Sequence, residues 1–148
     1  MNLFESLQIS ASGLQSQRTV ITVISENMAN VHTTRTEEGG PYLRQRAILT
    51  PARVPSDPPF FELLNRRMEP EAMGVKVQEV VQDTEGLKTI FDPSHPDADE
   101  NGLVLLPNVN LMEEMVGLLA ASRVFEANVA AFNAAKTMSL KSLEIGNR

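Results

Sequence analysis

The chain has 148 residues, a net charge of −6, no cysteine, no tryptophan, one tyrosine and six phenylalanines. This length suits a single domain whose core leans on Leu, Val, Ile, Met and Ala, and the missing cysteines exclude disulfides, zinc–thiolate sites and thiol catalysis. The thirteen basic residues are scattered and form no stripe, which excludes a nucleic-acid binder, because phosphate neutralisation supplies most of such a protein's affinity.

A cleavable secretory signal opens with positive charge and an unbroken apolar run. Here the first basic residue is Arg18, and polar residues interrupt Met1–Ile9 throughout. Export, if it occurs, is expected to use a route that does not read an ordinary signal peptide.

From Leu3 to Val31 the apolar residues recur on a helical period. Leu7, Leu14, Ile21 and Met28 stand seven apart, and Leu3, Ile24 and Val31 fill much of the complementary row. This is an a/d pattern over about four heptads, the pattern of a coiled-coil seam. Asn2 with Glu5 offers a helix cap. Ser10 and Gln17 occupy seam positions and Gly13 lies inside the helix, so the helix is expected to be weak alone. His32, before Thr33 and Thr34, reads as a capping or surface residue.

The middle of the chain changes character. Glu37-Glu38-Gly39-Gly40-Pro41 signals a turn. Tyr42–Thr50, Val75–Gln82, Leu87–Phe91 and Leu103–Leu106 read as strands. Prolines at 51, 55, 58, 59 and 70 mark a surface loop, in which Phe60–Arg67 suits a short amphipathic turn. The expected domains are therefore a discontinuous helical part, residues 1–36 and 108–148, and a small β-rich part, residues 37–107, with a proline-rich loop at about 51–74.

After Pro107, Asn110 caps a second helix with Glu113 at the third position and Glu114 beside it. Leu111, Leu118, Phe125 and Phe132 form a row seven apart, with Met115, Ser122, Val129, Lys136 and Leu143 beside it. Met112, Leu119 and Leu140 make a third line. A helix apolar on more than one face must be buried on more than one side. A membrane span is disfavoured by Ser122, Arg123, Glu126, Asn128 and Asn133 in mid-run. Two readings stay open: a helical hairpin within the chain, or burial among neighbouring copies or partners.

Chemistry is sparse. Asp92, His95, Asp97, Asp99 and Glu100 are close enough in sequence to bind a divalent metal, but Pro93, Pro96 and Asn101-Gly102 make a proline-punctuated turn the better reading. No phosphate loop, nucleophile elbow or zincin motif is present. No catalytic residue, cofactor or metal site is assigned.

The ends carry a resemblance. Ser12-Gly13-Leu14, Gln17-Arg18 and Glu26-Asn27-Met28-Ala29-Asn30-Val31-His32-Thr33 resemble the N-terminal signature of the flagellar rod and hook axial proteins. Asn108-Val109-Asn110, Glu114-Met115, Ala121–Asn128, Lys136-Thr137-Met138 and Leu140–Leu143 look like the matching C-terminal element. Gly40-Pro41-Tyr42, Gly74–Val77, Asp92–Ala98 and Asn101–Val104 are similar to the middle of a proximal rod member. Glu26 stands where the family usually has a small or amide residue, and Phe125 where many members have Tyr.

The resemblance implies an α+β subunit whose N- and C-terminal helices pair as a coiled coil in the inner layer of a helical tube. It implies a torque-transmitting shaft on the periplasmic side of the inner membrane, within the basal body. The implied partners are other rod subunits, copies of the chain, MS-ring or rod-base proteins and the flagellar type III export apparatus, with no membrane insertion. The expected seam sets Leu7, Leu14, Ile21 and Met28 against Leu118, Phe125, Val129 and Phe132. Asn27, Asn30 and Asn128 are expected as helix-side or inter-subunit hydrogen-bonders. The competing classes are a cytoplasmic coiled-coil adaptor and a metal enzyme built on the His95 region.

Overall fold

The computed structural model describes residues 3–37, 39–53 and 73–146, with the Leu3 side chain outside them. In chain order the elements are α1 (Leu3–Ala29), β1 (Gln45–Arg53), β2 (Met73–Gln82), β3 (Lys88–Phe91), β4 (Leu103–Leu106) and α2 (Leu111–Gly146). β1 pairs with β2 and β3 with β4, as two separate two-stranded sheets. The chain is α+β, with a helix at each end and a small strand insertion between them.

The helix ends follow from local chemistry. At α2, Asn110 Oδ1 accepts the Met112 N–H at 3.1 Å, and its Nδ2 donates to Glu113 Oε1 at 3.0 Å. This satisfies one of the helix's otherwise orphaned donors. At the end of α1, Asn30 Nδ2 donates back to the Glu26 carbonyl at 2.9 Å. The Thr33 hydroxyl then donates to Asn30 Oδ1 at 3.1 Å. The helix therefore stops at Ala29 rather than Val31, and His32 is exposed. The Asn2 cap lies outside the described residues.

β1 runs through Pro51 to Arg53, and β2 starts at Met73. Residues 51–53 and 73–74 of the proline-rich loop expected at 51–74 are thus strand, and the rest of that stretch lies outside the described residues. Proline lacks an N–H and is confined to sheet edges; a two-stranded sheet leaves every strand one open edge, so the strand continues past Pro51.

Between β3 and β4, residues 92–102 form the proline-punctuated turn. Asp92 Oδ1 accepts from the Ser94 N–H and hydroxyl, His95 Nδ1 accepts from the Asp97 N–H, and Asp99 Oδ1 accepts from Asn101 and Leu103 N–H groups. Gly102 sits at φ +74, where a Cβ would fall 2.9 Å from Pro93 Cγ. These bonds hold Asp92 and Asp99 below the usual carboxylate range, chiefly through Ser94 and the Leu103 N–H respectively. The carboxylates act as acceptors for backbone, and among the described residues no cluster could hold a metal ion.

The chain divides into two compact units: residues 1–18, 49–78 and 123–148, and residues 19–48 and 79–122. In the second, Val23, Val104, Val109 and Ala121 are buried together with Asn27 and Glu114. In the first, Ser16 and Ala135 are buried. There the Ser16 hydroxyl donates to the Val75 carbonyl at 2.9 Å, and the Ser12 hydroxyl accepts the Val75 N–H at 3.1 Å. Gln8 Oε1 and Thr50 Oγ1 are buried in this unit and have no hydrogen-bond partner among the described residues.

Glycine inside a helix costs about 1 kcal/mol relative to alanine, and the two helical glycines differ in what they gain. A Cβ on Gly13 would lie 3.0 Å from Asn128 Nδ2, whereas one on Gly117 would lie 3.5 Å from Ile24 Cδ1, an ordinary contact. Gly117→Ala is therefore expected to stabilise the protein by about 0.5–1 kcal/mol. Gly13→Ala is expected to destabilise by about 1 kcal/mol despite its better propensity, with the loss reversed by adding Asn128→Ala. Urea denaturation of the three variants and the unsubstituted chain checks both signs.

Candidate functional site

Among the described residues the most deeply buried side chain is that of Asn27, 1 % exposed. Its Nδ2 donates to the Gln45 carbonyl at 2.9 Å and to Glu114 Oε2 at 3.2 Å. Its Oδ1 accepts the Gln45 N–H at 2.9 Å and the Tyr42 hydroxyl at 3.0 Å. Two donors and two acceptors are all a carboxamide has, so the group is saturated. It pairs with Gln45 as a neighbouring strand would.

Glu114 extends the network. Its side chain is 3 % exposed, and Oε1 accepts from Arg44 Nε at 2.7 Å. The Arg44 N–H donates to Asn108 Oδ1 at 2.8 Å, and Asn108 Nδ2 donates to the Asp83 and Glu85 carbonyls at 2.7 and 2.6 Å. The end of α1, the start of β1, the loop after β2 and the first turn of α2 are thereby joined. Burial pushes the Tyr42 phenol above its ordinary value of 10.0, and the Glu26 and Glu114 carboxylates push the same way.

The sequence singled out three asparagines as helix-side or inter-subunit hydrogen-bonders, and each has a place within its own chain. Asn27 is the hub, Asn30 closes the end of α1, and Asn128 lies against Gly13. Tyr42, Arg44, Gln45 and Glu114 as network members were not read from the sequence. The available signal was Glu114 itself, a carboxylate four residues before Leu118 on the apolar side of the helix, which requires a buried partner.

On α2 the buried and half-buried positions include Glu114, Leu118, Ala121, Phe125, Asn128, Phe132, Ala135 and Ser139. They alternate by four and three, a heptad line. The row through Leu118, Phe125 and Phe132 is thus accompanied by Glu114, Ala121, Asn128 and Ala135. Leu111, Met115 and Val129 are exposed at 41 %, 44 % and 36 %, and Ser122 is half-buried. On α1, Leu7, Leu14, Ile21, Ile24 and Met28 are half-buried, while the deepest positions are Ser16, Val23 and Asn27.

A second apolar surface of α2 stays open. Met112, Val116 and Leu119 are 68 %, 64 % and 67 % exposed, as are Leu140, Leu143 and Ile145 at 53 %, 67 % and 76 %. By length and composition alone α2 could cross a bilayer. Arg123 pairs with Glu126 at 3.5 Å in its middle, a charged pair that is costly in hydrocarbon.

Replacing Asn27 by Ala leaves both backbone groups of Gln45 and the Tyr42 hydroxyl unpaired. The expected cost is about 2–4 kcal/mol, read by urea denaturation with Tyr42, the sole tyrosine in a tryptophan-free chain, as the fluorescence reporter. Because the folded phenol titrates above its unfolded value, its contribution is full below pH 10.0 and is lost as pH rises through the folded value. Alkaline titration of tyrosinate absorbance is expected to show this delayed midpoint in the native chain and its return toward 10.0 when the chain is unfolded in urea, which removes both the burial and the fixed carboxylates.

Comparison with known proteins places this arrangement. Residues 100–145 match the family described as flagellar basal body rod FlgEFG protein C-terminal. Over nearly its whole length the chain is similar to flagellar basal-body rod proteins FlgC. It is 45 % identical to that of Borreliella burgdorferi (98 % of each chain) and 40 % identical to that of Bacillus subtilis (99 % of each). It is 34 % identical to that of Aquifex aeolicus, with 97 % of each chain covered. On identity of this extent the chain belongs to the FlgC family of flagellar basal-body rod proteins, which are structural subunits of the rod and not enzymes.

Proposed function

We propose that the chain is a proximal rod subunit, which contacts copies of itself and other rod subunits through the outer face of α2 and helps to form the torque-transmitting shaft. The observation that carries this reading is the surplus of apolar surface on that helix. One face of α2 is taken up within the subunit, yet Met112, Val116 and Leu119 remain about two-thirds exposed. Apolar surface of this kind marks a site of association, and repeated heterologous contacts build a helical array rather than a closed dimer.

In this reading α1 and α2 pair as a coiled coil in the inner layer of the tube, along the line through Leu118, Phe125 and Phe132. The unit made of residues 1–18, 49–78 and 123–148 completes its packing on docking. The exposed Met138, Leu140 and Leu143 support that part. Ordering on binding of this kind trades affinity for the ability to travel as a loosely packed chain.

Passage through the flagellar type III export apparatus is the route to the rod that this reading implies. MS-ring or rod-base proteins on the periplasmic side of the inner membrane are the natural neighbours of a proximal subunit. A cytoplasmic coiled-coil adaptor would share the helices but not the family.

Two neighbouring leucines separate the inner face from the outer one. Leu118→Asp, at a half-buried position, is expected to destabilise the subunit and abolish incorporation into the rod. Leu119→Asp, 67 % exposed, is expected to leave subunit stability within about 0.5 kcal/mol and still abolish incorporation. Normal motility and normal basal-body content in Leu119→Asp would overturn the docking role of the outer face.

A further inference from the structure

The β3–β4 hairpin carries an apolar surface that the helices leave unexplained. Its register sets Phe91 opposite Leu103 and Thr89 opposite Leu105, and residues opposite one another share a face. Val104, on the other face, is 3 % exposed, whereas Phe91, Leu103 and Leu105 are 69 %, 38 % and 47 % exposed. Leu103 and Leu105 form one wall of an open cleft of about 500 Å³, completed by Pro41, Pro96 and Ala98.

The rim of the cleft is acidic. Asp97 and Asp99 line it, and Asp92 and Glu100 belong to the same turn. Arg35 is the cation among the lining residues, 3.9 Å from Asp97 with its side chain 78 % exposed. Such a surface fits an apolar segment that carries positive charge at one end. The chain contains one sequence of that kind, Phe60-Phe61-Glu62-Leu63-Leu64-Asn65-Arg66-Arg67, the sole place with two adjacent phenylalanines and two adjacent arginines.

The segment lies outside the described residues, in the stretch 54–72 that connects Arg53 to Met73. At the extended length of a polypeptide this connection reaches at most about 30 Å from its anchors, enough to meet an adjacent molecule. We propose that the hairpin cleft takes the Phe60–Arg67 segment of a second copy of the chain in the assembled rod. The phenylalanines and leucines cover Phe91, Leu103 and Leu105, and the two arginines meet the carboxylates of the 97–100 turn. This inference rests on the reading that copies of the chain contact one another in the rod.

The absence of native cysteine makes the test direct. A Phe61→Cys chain and a Phe91→Cys chain are co-expressed, basal bodies are purified and oxidised, and the products are separated by mass. The expected product is a mixed disulfide at twice the chain mass, lost when Leu105→Asp is added to the Phe91→Cys chain. Thr89→Cys, on the same face, replaces Phe91→Cys if that chain does not incorporate. Basal bodies that contain both chains but no mixed dimer overturn the proposal and leave the rod assignment intact. So does a chain bearing both cysteines that links only within itself, because the occupant is then its own loop. Absence of the unsubstituted chain from basal bodies overturns both.

Discussion

A carboxamide sealed from water must find partners for two N–H donors and two oxygen lone pairs, since each one left unpaired costs about 1–3 kcal/mol. Asn27 meets this demand with groups from three directions: the Gln45 backbone, the Tyr42 hydroxyl and the Glu114 carboxylate. Glu114 carries the same demand in stronger form, because a buried charge without a partner is strongly destabilising. Arg44 answers it at 2.7 Å while remaining part exposed. The placement of β1 along α1, and of the first turn of α2 beside both, follows from satisfying these two side chains together. An apolar pair in the same space would be compatible with sliding by a turn, whereas this network has one register.

The apolar side of the ledger is thin by comparison. Among the described residues the buried hydrophobic ones are Val23, Val104, Val109, Ala121 and Ala135, all small or medium. The large side chains Met112, Leu119, Phe91, Met138 and Leu143 are instead more than half exposed. At about 25 cal/mol per Å², the surface still available for burial is a large share of what the chain can gain from water. A rod subunit must remain soluble before assembly and release free energy upon it. Polar groups that fix local geometry, combined with large apolar groups kept on the outside, serve that division.

Much of this was legible in the sequence, for reasons that can be named. Both helices and four strands follow from period and punctuation, because caps such as Asn110 and turn formers such as Asn101-Gly102 act through their own backbone. The turn at 92–102 was readable for the same reason. Whether Pro51 ends a strand depends on whether the sheet has an open edge there, which no local signal carries. The companion row on α2 was equally hidden. Met115 and Val129 are better seam residues by hydrophobicity than Glu114 and Asn128, and periodicity alone prefers them. What reverses that preference is Arg44 and Gly13, far away in sequence.

Glycine and serine in α1 carry the least obvious part of the signature. By propensity Ser12, Gly13 and Ser16 weaken a helix. Their value lies in size and in hydroxyl chemistry. Both hydroxyls address the two backbone groups of a single residue, Val75, one accepting its N–H and the other donating to its carbonyl. The missing Cβ between them lets the Asn128 carboxamide lie within 3.0 Å of where that carbon would be. A helix surface bearing Leu at these positions would be more stable as a helix. It would also hold β2 and α2 farther away and leave the Val75 backbone groups to water. The three small residues give up intrinsic helicity for close approach, so this part of α1 is specified by its neighbours rather than by itself.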